Sequence, residues 1–193
     1  MSVVLNKITP KQKLIIAKGL LDYQFIMDNW KTDSQEFREV YYEFYLKARW
    51  AVMKKPENSN PYFDKLQNTS ATSNLIDIID DLKQKTEQKN YEFSLCSKLL
   101  HTINVSSPIY DSKVRDFLSE EMNVDFWFNS GKKVNISTRD KIIHDWNELC
   151  RWYDTFLKSP IGKEWVAWFD TNFSSYAQIS DVKKIDCIIF ATN

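Results

Sequence analysis

The chain has 193 residues, 43% of them hydrophobic and 15% aromatic, and its 26 Lys plus Arg balance 26 Asp plus Glu to a net charge of zero. That composition excludes a disordered or linker protein and gives length for one sizeable core, or for one domain in two lobes. The neutral balance excludes the strongly basic coat of a non-specific nucleic-acid protein, so any DNA contact must come from a local patch.

Four clusters could supply such a patch: Lys11, Lys13 and Lys18; Lys47, Arg49, Lys54 and Lys55; Lys132, Lys133, Arg139 and Lys141; and Lys183 with Lys184. The three cysteines, Cys96, Cys150 and Cys187, are far apart and without C-x-x-C spacing, which argues against a disulfide framework or a cysteine zinc site and suits a reducing cytoplasm. With only His101 and His144 available, a multi-histidine metal centre is not expected, and no cofactor is implied. Neither a signal-peptide pattern nor a run of about 18 apolar residues is visible, so a cytoplasmic protein with no membrane association is expected.

Three glycines serve the whole chain, which leaves too few tight turns for a hairpin-rich sheet and no phosphate-cradling loop. An all-α fold is predicted. Thr9-Pro10-Lys11-Gln12 carries a capping residue, a proline at the first helical position and a glutamine three residues after the cap, opening a helix that runs to Trp30. Asp33 to Glu36 starts a second helix, with Phe37, Val40, Tyr41 and Phe44 on one face, ending at Lys54-Lys55-Pro56. Glu57 to Pro61 is predicted as a loop, and Ser70 to Ser73 as the cap of a helix bearing Leu75, Ile76, Ile79 and Leu82. Residues 1–90 would form an N-terminal lobe and 91–193 a second lobe, or the two would form one domain.

In the second half, a short apolar helix follows Ser97, and Asn104 to Pro108 breaks it. A new helix then starts at Asp111 or Ser112, where a short oxygen-bearing side chain can cap it. Lys98 and Asp111 thus lie at consecutive helix boundaries, within reach of one another across a helical hairpin. Asn123 to Ser137 is irregular, with Phe126-Trp127-Phe128 beside Lys132 and Lys133, and forms a second candidate surface. Ser137-Thr138-Arg139-Asp140 opens a long helix through Leu157, and Ser159-Pro160 starts another. Ser180-Asp181 caps a last apolar run, Ile185 to Phe190, whose pattern also admits a strand.

The stretch Ser97-Lys98-Leu99-Leu100-His101, followed by Pro108-Ile109-Tyr110-Asp111-Ser112-Lys113-Val114, resembles the helix-hairpin-helix DNA glycosylase superfamily, in its 8-oxoguanine-glycosylase-like branch. The resemblance implies a helical DNA-repair hydrolase that cleaves the N-glycosidic bond of a damaged or modified base. Lys98 would match the family's lysine nucleophile, and Asp111 the carboxylate that supports positive charge on the sugar. A flipped base would enter an aromatic pocket, for which Tyr110, Trp127, Trp146 and Trp152 are candidates, with His101 tuning the lysine. Ser97, Lys113, Lys132 and Lys133 are the candidate DNA contacts. The family's hairpin glycines are replaced here by Tyr91 to Ser97. That departure keeps an alternative open, a catalytically inactive DNA- or protein-binding helical module, for example in a mobile-element or phage-defence setting.

Overall fold

The computed structural model describes residues 3–47, 53, 55–86, 92–128, 131 and 134–192. Among them lie ten α-helices and no strand, so the protein is all-α as its patterning predicts. In chain order these are α1 (Val3–Asn6), α2 (Pro10–Asn29), α3 (Gln35–Tyr41), α4 (Pro56–Asn68), α5 (Leu75–Lys85), α6 (Phe93–Ile103), α7 (Ser112–Glu121), α8 (Thr138–Lys158), α9 (Pro160–Asn172) and α10 (Asp181–Thr192). A π-helical turn, Tyr42–Leu46, continues α3.

The starts follow local chemistry. The Thr9 backbone N–H donates to Gln12 Oε1 at 2.7 Å while Gln12 N donates to Thr9 Oγ1, a reciprocal capping box at the mouth of α2. Ser34, Asp111, Ser137 and Ser159 each accept a backbone N–H three residues ahead, which satisfies a donor that has no partner within the helix. The terminal apolar run is helical, capped by Ser180, whose Oγ accepts from Lys183 N.

Two expectations are corrected. Glu57 to Pro61 is no loop: α4 begins at Pro56 and carries Pro61 in its interior. The missing N–H of Pro61 costs one intrahelical bond near the start, and burial of Tyr62, Phe63 and Leu66 along the same helix outweighs it. Asn74, not Ser70 to Ser73, caps α5, accepting from Ile76 N at 2.9 Å.

The chain divides into two compact units, residues 1–18 with 105–193, and residues 19–104. This differs from lobes of 1–90 and 91–193, for reasons visible in each unit. Lys7 pairs with Glu121, Gln12 donates to the Ala191 carbonyl and Lys13 to Asn172, which fasten the first residues to the C-terminal helices. Helix α6 packs with α4, α5 and the π turn, which retains it in the 19–104 unit.

The core of that unit is aromatic. Phe63, fully buried, meets the edges or faces of Phe37, Tyr41, Tyr42 and Tyr62 at centroid distances of 5.5 to 5.9 Å. The other unit centres on Trp165, fully buried against Phe117 and Phe156, with Ile185, Ile188 and Ile189 of α10. Lys183 and Lys184, expected as a basic patch, are also buried there. Lys183 pairs with Asp186 at 2.6 Å and Lys184 with Asp170 and Asp181 at 2.9 and 3.0 Å, so their charge is neutralised at home.

Candidate active site

Pro108, Ile109 and Tyr110 are buried and lead into Asp111, whose extended backbone (φ −141°, ψ 176°) turns the chain into α7. Asp111 Oδ1 accepts from Val114 N at 2.9 Å, as the capping reading predicts, and the residue is half-buried. A carboxylate is favoured there by the positive end of the helix.

Tyr110 points the other way. Its phenol lies 3.2 Å from both the Phe128 carbonyl and Asp145 Oδ2, and burial, followed by the Asp145 charge, pushes it well above the usual range, so it stays a donor. Asp145 is fully buried and meets four polar partners. Trp127 N reaches its Oδ1 at 2.7 Å, Phe128 N its Oδ2 at 2.9 Å, the Tyr110 phenol shares Oδ2, and His144 Nδ1 lies 3.1 Å from Oδ1. The irregular segment after α7 is therefore held by one carboxylate of α8. Trp127 completes the arrangement by stacking on the His144 ring, centroids 3.4 Å apart and planes 5° from parallel, while its Nε1 donates to Asp125.

Of the sequence candidates, Tyr110 and Trp127 are thus brought together, through a residue that the sequence reading did not select. A signal for Asp145 was present. The apolar stripe of α8 runs Ile142, Leu149, Tyr153, Phe156, and Asp145 occupies a core-facing place in it. A charge at such a place is buried only with partners.

Lys98, Ser97 and His101 belong to the 19–104 unit and Asp111 to the other. Helix α6 starts at Phe93, not after Ser97, so Lys98 sits in its interior instead of at a boundary. The run Phe93 to Cys96 is apolar enough to bury, and that extends the helix N-terminally. Lys98 is half-buried, its Nζ donating to Ser94 Oγ at 3.1 Å, between buried Leu95 and Leu99 as expected. Its helix is pinned by polar ties. The Tyr62 phenol donates to the Leu95 carbonyl and Thr102 Oγ1 to the Lys98 carbonyl, both at 2.9 Å, while the Tyr41 phenol lies 3.1 Å from that of Tyr62.

Ser97 is fully buried and donates to the Ser94 carbonyl, which turns it away from any phosphate. His101 is likewise fully buried, its Nε2 3.1 Å from the Tyr23 phenol, a structural partnership. Trp152 stacks on Phe156 at 4.5 Å and meets the edge of Tyr153, and Trp146 is half-buried on α8. Lys113 holds its ammonium 4.0 Å from the Phe190 ring centre. Lys132 and Lys133 lie outside the described residues.

Among the described residues no three His, Cys, Asp or Glu side chains converge to hold a metal ion, and no helix is long and apolar enough to cross a membrane. Set beside known proteins, the chain matches no family model, no curated protein and no solved structure.

Proposed function

We propose that this protein is a DNA glycosylase-like hydrolase that cleaves the N-glycosidic bond of a damaged or modified base. The observation that carries the reading is the tie from Tyr110 to Asp145 to Trp127, which joins the segment bearing Asp111 to an aromatic segment on the same unit. A carboxylate at a helix start, on the same unit as ordered aromatic side chains, is chemistry suited to base removal. Asp111 supports the positive charge that develops at C1′ as the base departs, and water attacks that carbon unless a lysine adduct is found. As a nucleophile Lys98 would attack as the neutral amine.

The full chain, incubated with duplexes carrying abasic sites or a panel of damaged bases, is expected to release base, with loss in Asp111→Ala. A borohydride-trapped adduct that disappears in Lys98→Ala identifies the lysine as the attacking group. Base release without an adduct identifies water. No base release from any duplex refutes the reading.

A second reading, an inactive DNA- or protein-binding helical module, is favoured by one observation: Lys98 lies in the interior of α6, its Nζ donating to Ser94 Oγ, and not at a helix start. Salt-dependent duplex binding that is unchanged in Lys98→Ala and Asp111→Ala supports it, and loss of binding in those variants opposes it.

A further inference from the structure

We propose that His144, oriented by Asp145, is a proton acceptor for an attacking water molecule at the edge of the Trp127 segment. The assignment of that water's target rests on the glycosylase reading; the histidine–aspartate pair itself does not.

The direction of the pair follows from its neighbours. Asp145 accepts from two backbone N–H groups, of Trp127 and Phe128, which can only donate, and from a Tyr110 phenol that keeps its proton. A carboxylate so surrounded acts as an acceptor towards His144 as well, so the hydrogen of the neutral imidazole sits on Nδ1, 3.1 Å from Asp145 Oδ1. The lone pair is then on Nε2. That nitrogen has no hydrogen-bond partner among the described residues, and the side chain is 21% exposed, so water reaches the ring.

The ring is also fixed in direction. The near-parallel stack with Trp127 at 3.4 Å and the Nδ1 tie to Asp145 together block rotation about the side-chain bonds. After proton transfer the imidazolium lies against a buried carboxylate and over an indole face, both of which stabilise positive charge. Other charged groups among the described residues approach it from two directions. Along α8, Asp140 and Lys141 lie one turn before and Glu148, paired with Arg151, one turn after. From elsewhere come Tyr110, with Arg115 acting on its phenol, and Asp125 through the indole N–H of Trp127.

In the reaction, the water oxygen bonds to C1′ as the C1′–N bond breaks and its electron pair leaves with the base. One water proton passes to His144 Nε2, the other remains as the new sugar hydroxyl, and the departing base takes a proton from solvent.

The chain holds just two histidines, and His101 is fully buried against Tyr23, so imidazole-directed probes report on His144. In the full chain labelled with ¹⁵N-histidine, the NMR spectrum is expected to show His144 as the Nδ1–H tautomer. Diethyl pyrocarbonate is expected to acylate one histidine, His144, and Asp145→Asn, which alters the acceptor opposite Nδ1, to lose the preference for the Nδ1–H tautomer. An Nε2–H tautomer, or a His144 that resists acylation in the wild type, overturns the pair as a proton acceptor. Should Asp145→Asn not fold, the wild-type tautomer decides alone. Where base release is found, His144→Gln is expected to lower kcat at least tenfold, with duplex affinity held, and to remove the acid limb of the pH profile. An unchanged kcat overturns the role. Failure of the wild type to release base while the tautomer is Nδ1–H overturns the choice of target and leaves the pair standing.

Discussion

Replacing Asp145 by alanine removes one shared partner from four polar groups at once, in a place with no solvent exposure. Two of them, Trp127 N and Phe128 N, belong to a segment without regular structure, so no intrahelical or ladder bond can replace what is lost. Each buried donor left unsatisfied costs about 1–3 kcal/mol, and bonds to a charged acceptor lie at the upper end. Counting the two backbone donors fully, and allowing Tyr110 to retain the Phe128 carbonyl and His144 to reach water, Asp145→Ala is expected to destabilise by about 4 kcal/mol. That is a large share of the roughly 5–15 kcal/mol that holds a domain folded. Urea denaturation followed by far-UV circular dichroism measures the difference, with Asp125→Ala, at an exposed position in the same segment, as the control expected to lie within about 0.5 kcal/mol of wild type. If Asp145→Ala loses less than about 1 kcal/mol, the carboxylate does not organise the segment, and the account of how Trp127 is positioned fails with it.

Three other outcomes are expected. Gly162 lies in the first turn of α9 with a Cβ position that would collide with the Phe156 carbonyl, so Gly162→Ala should destabilise by about 2–3 kcal/mol despite alanine's better helix propensity; equal or higher stability in urea contradicts the close approach. The Tyr153 hydroxyl is buried without a hydrogen-bond partner among the described residues, so Tyr153→Phe should be neutral or stabilising by up to about 2 kcal/mol, and a clear loss in the urea midpoint would contradict this. Burial pushes the Tyr41 phenol up to about 12, above the unfolded value of about 10; its contribution is complete below about pH 10 and is lost as pH rises towards about 12, on the order of 3 kcal/mol in all. Urea midpoints at about pH 9 and about pH 11 should therefore fall more in wild type than in Tyr41→Phe, and parallel falls would contradict the sign.

Much of the helical frame could be read before any coordinates because caps are local. Thr9 with Gln12, Asp111 with Val114 and Ser137 with Asp140 each satisfy a donor three residues away, so residue type and spacing alone specify them. The same locality misled where burial outweighed it. Pro61, Asn58 and Ser59 spell a loop, yet Tyr62, Phe63 and Leu66 draw that stretch into a helix. Polar Glu92 and Ser94 hide the fact that α6 begins before Ser97, which moves Lys98 from a helix boundary into an interior turn.

The sequence by itself determined an all-α protein, its main helix starts and Asp111 as a cap, since each depends on contacts within one turn. The tertiary structure decided the partners of Asp145, which gathers Tyr110, Trp127 and Phe128 from 35, 18 and 17 residues away. It also decided that Lys183 and Lys184 are neutralised inside the fold instead of facing a phosphate backbone. The physical reason is the same in both cases. A buried charge takes whatever partner packing brings to it, and packing is settled by the burial of distant apolar faces, not by the residues next in line.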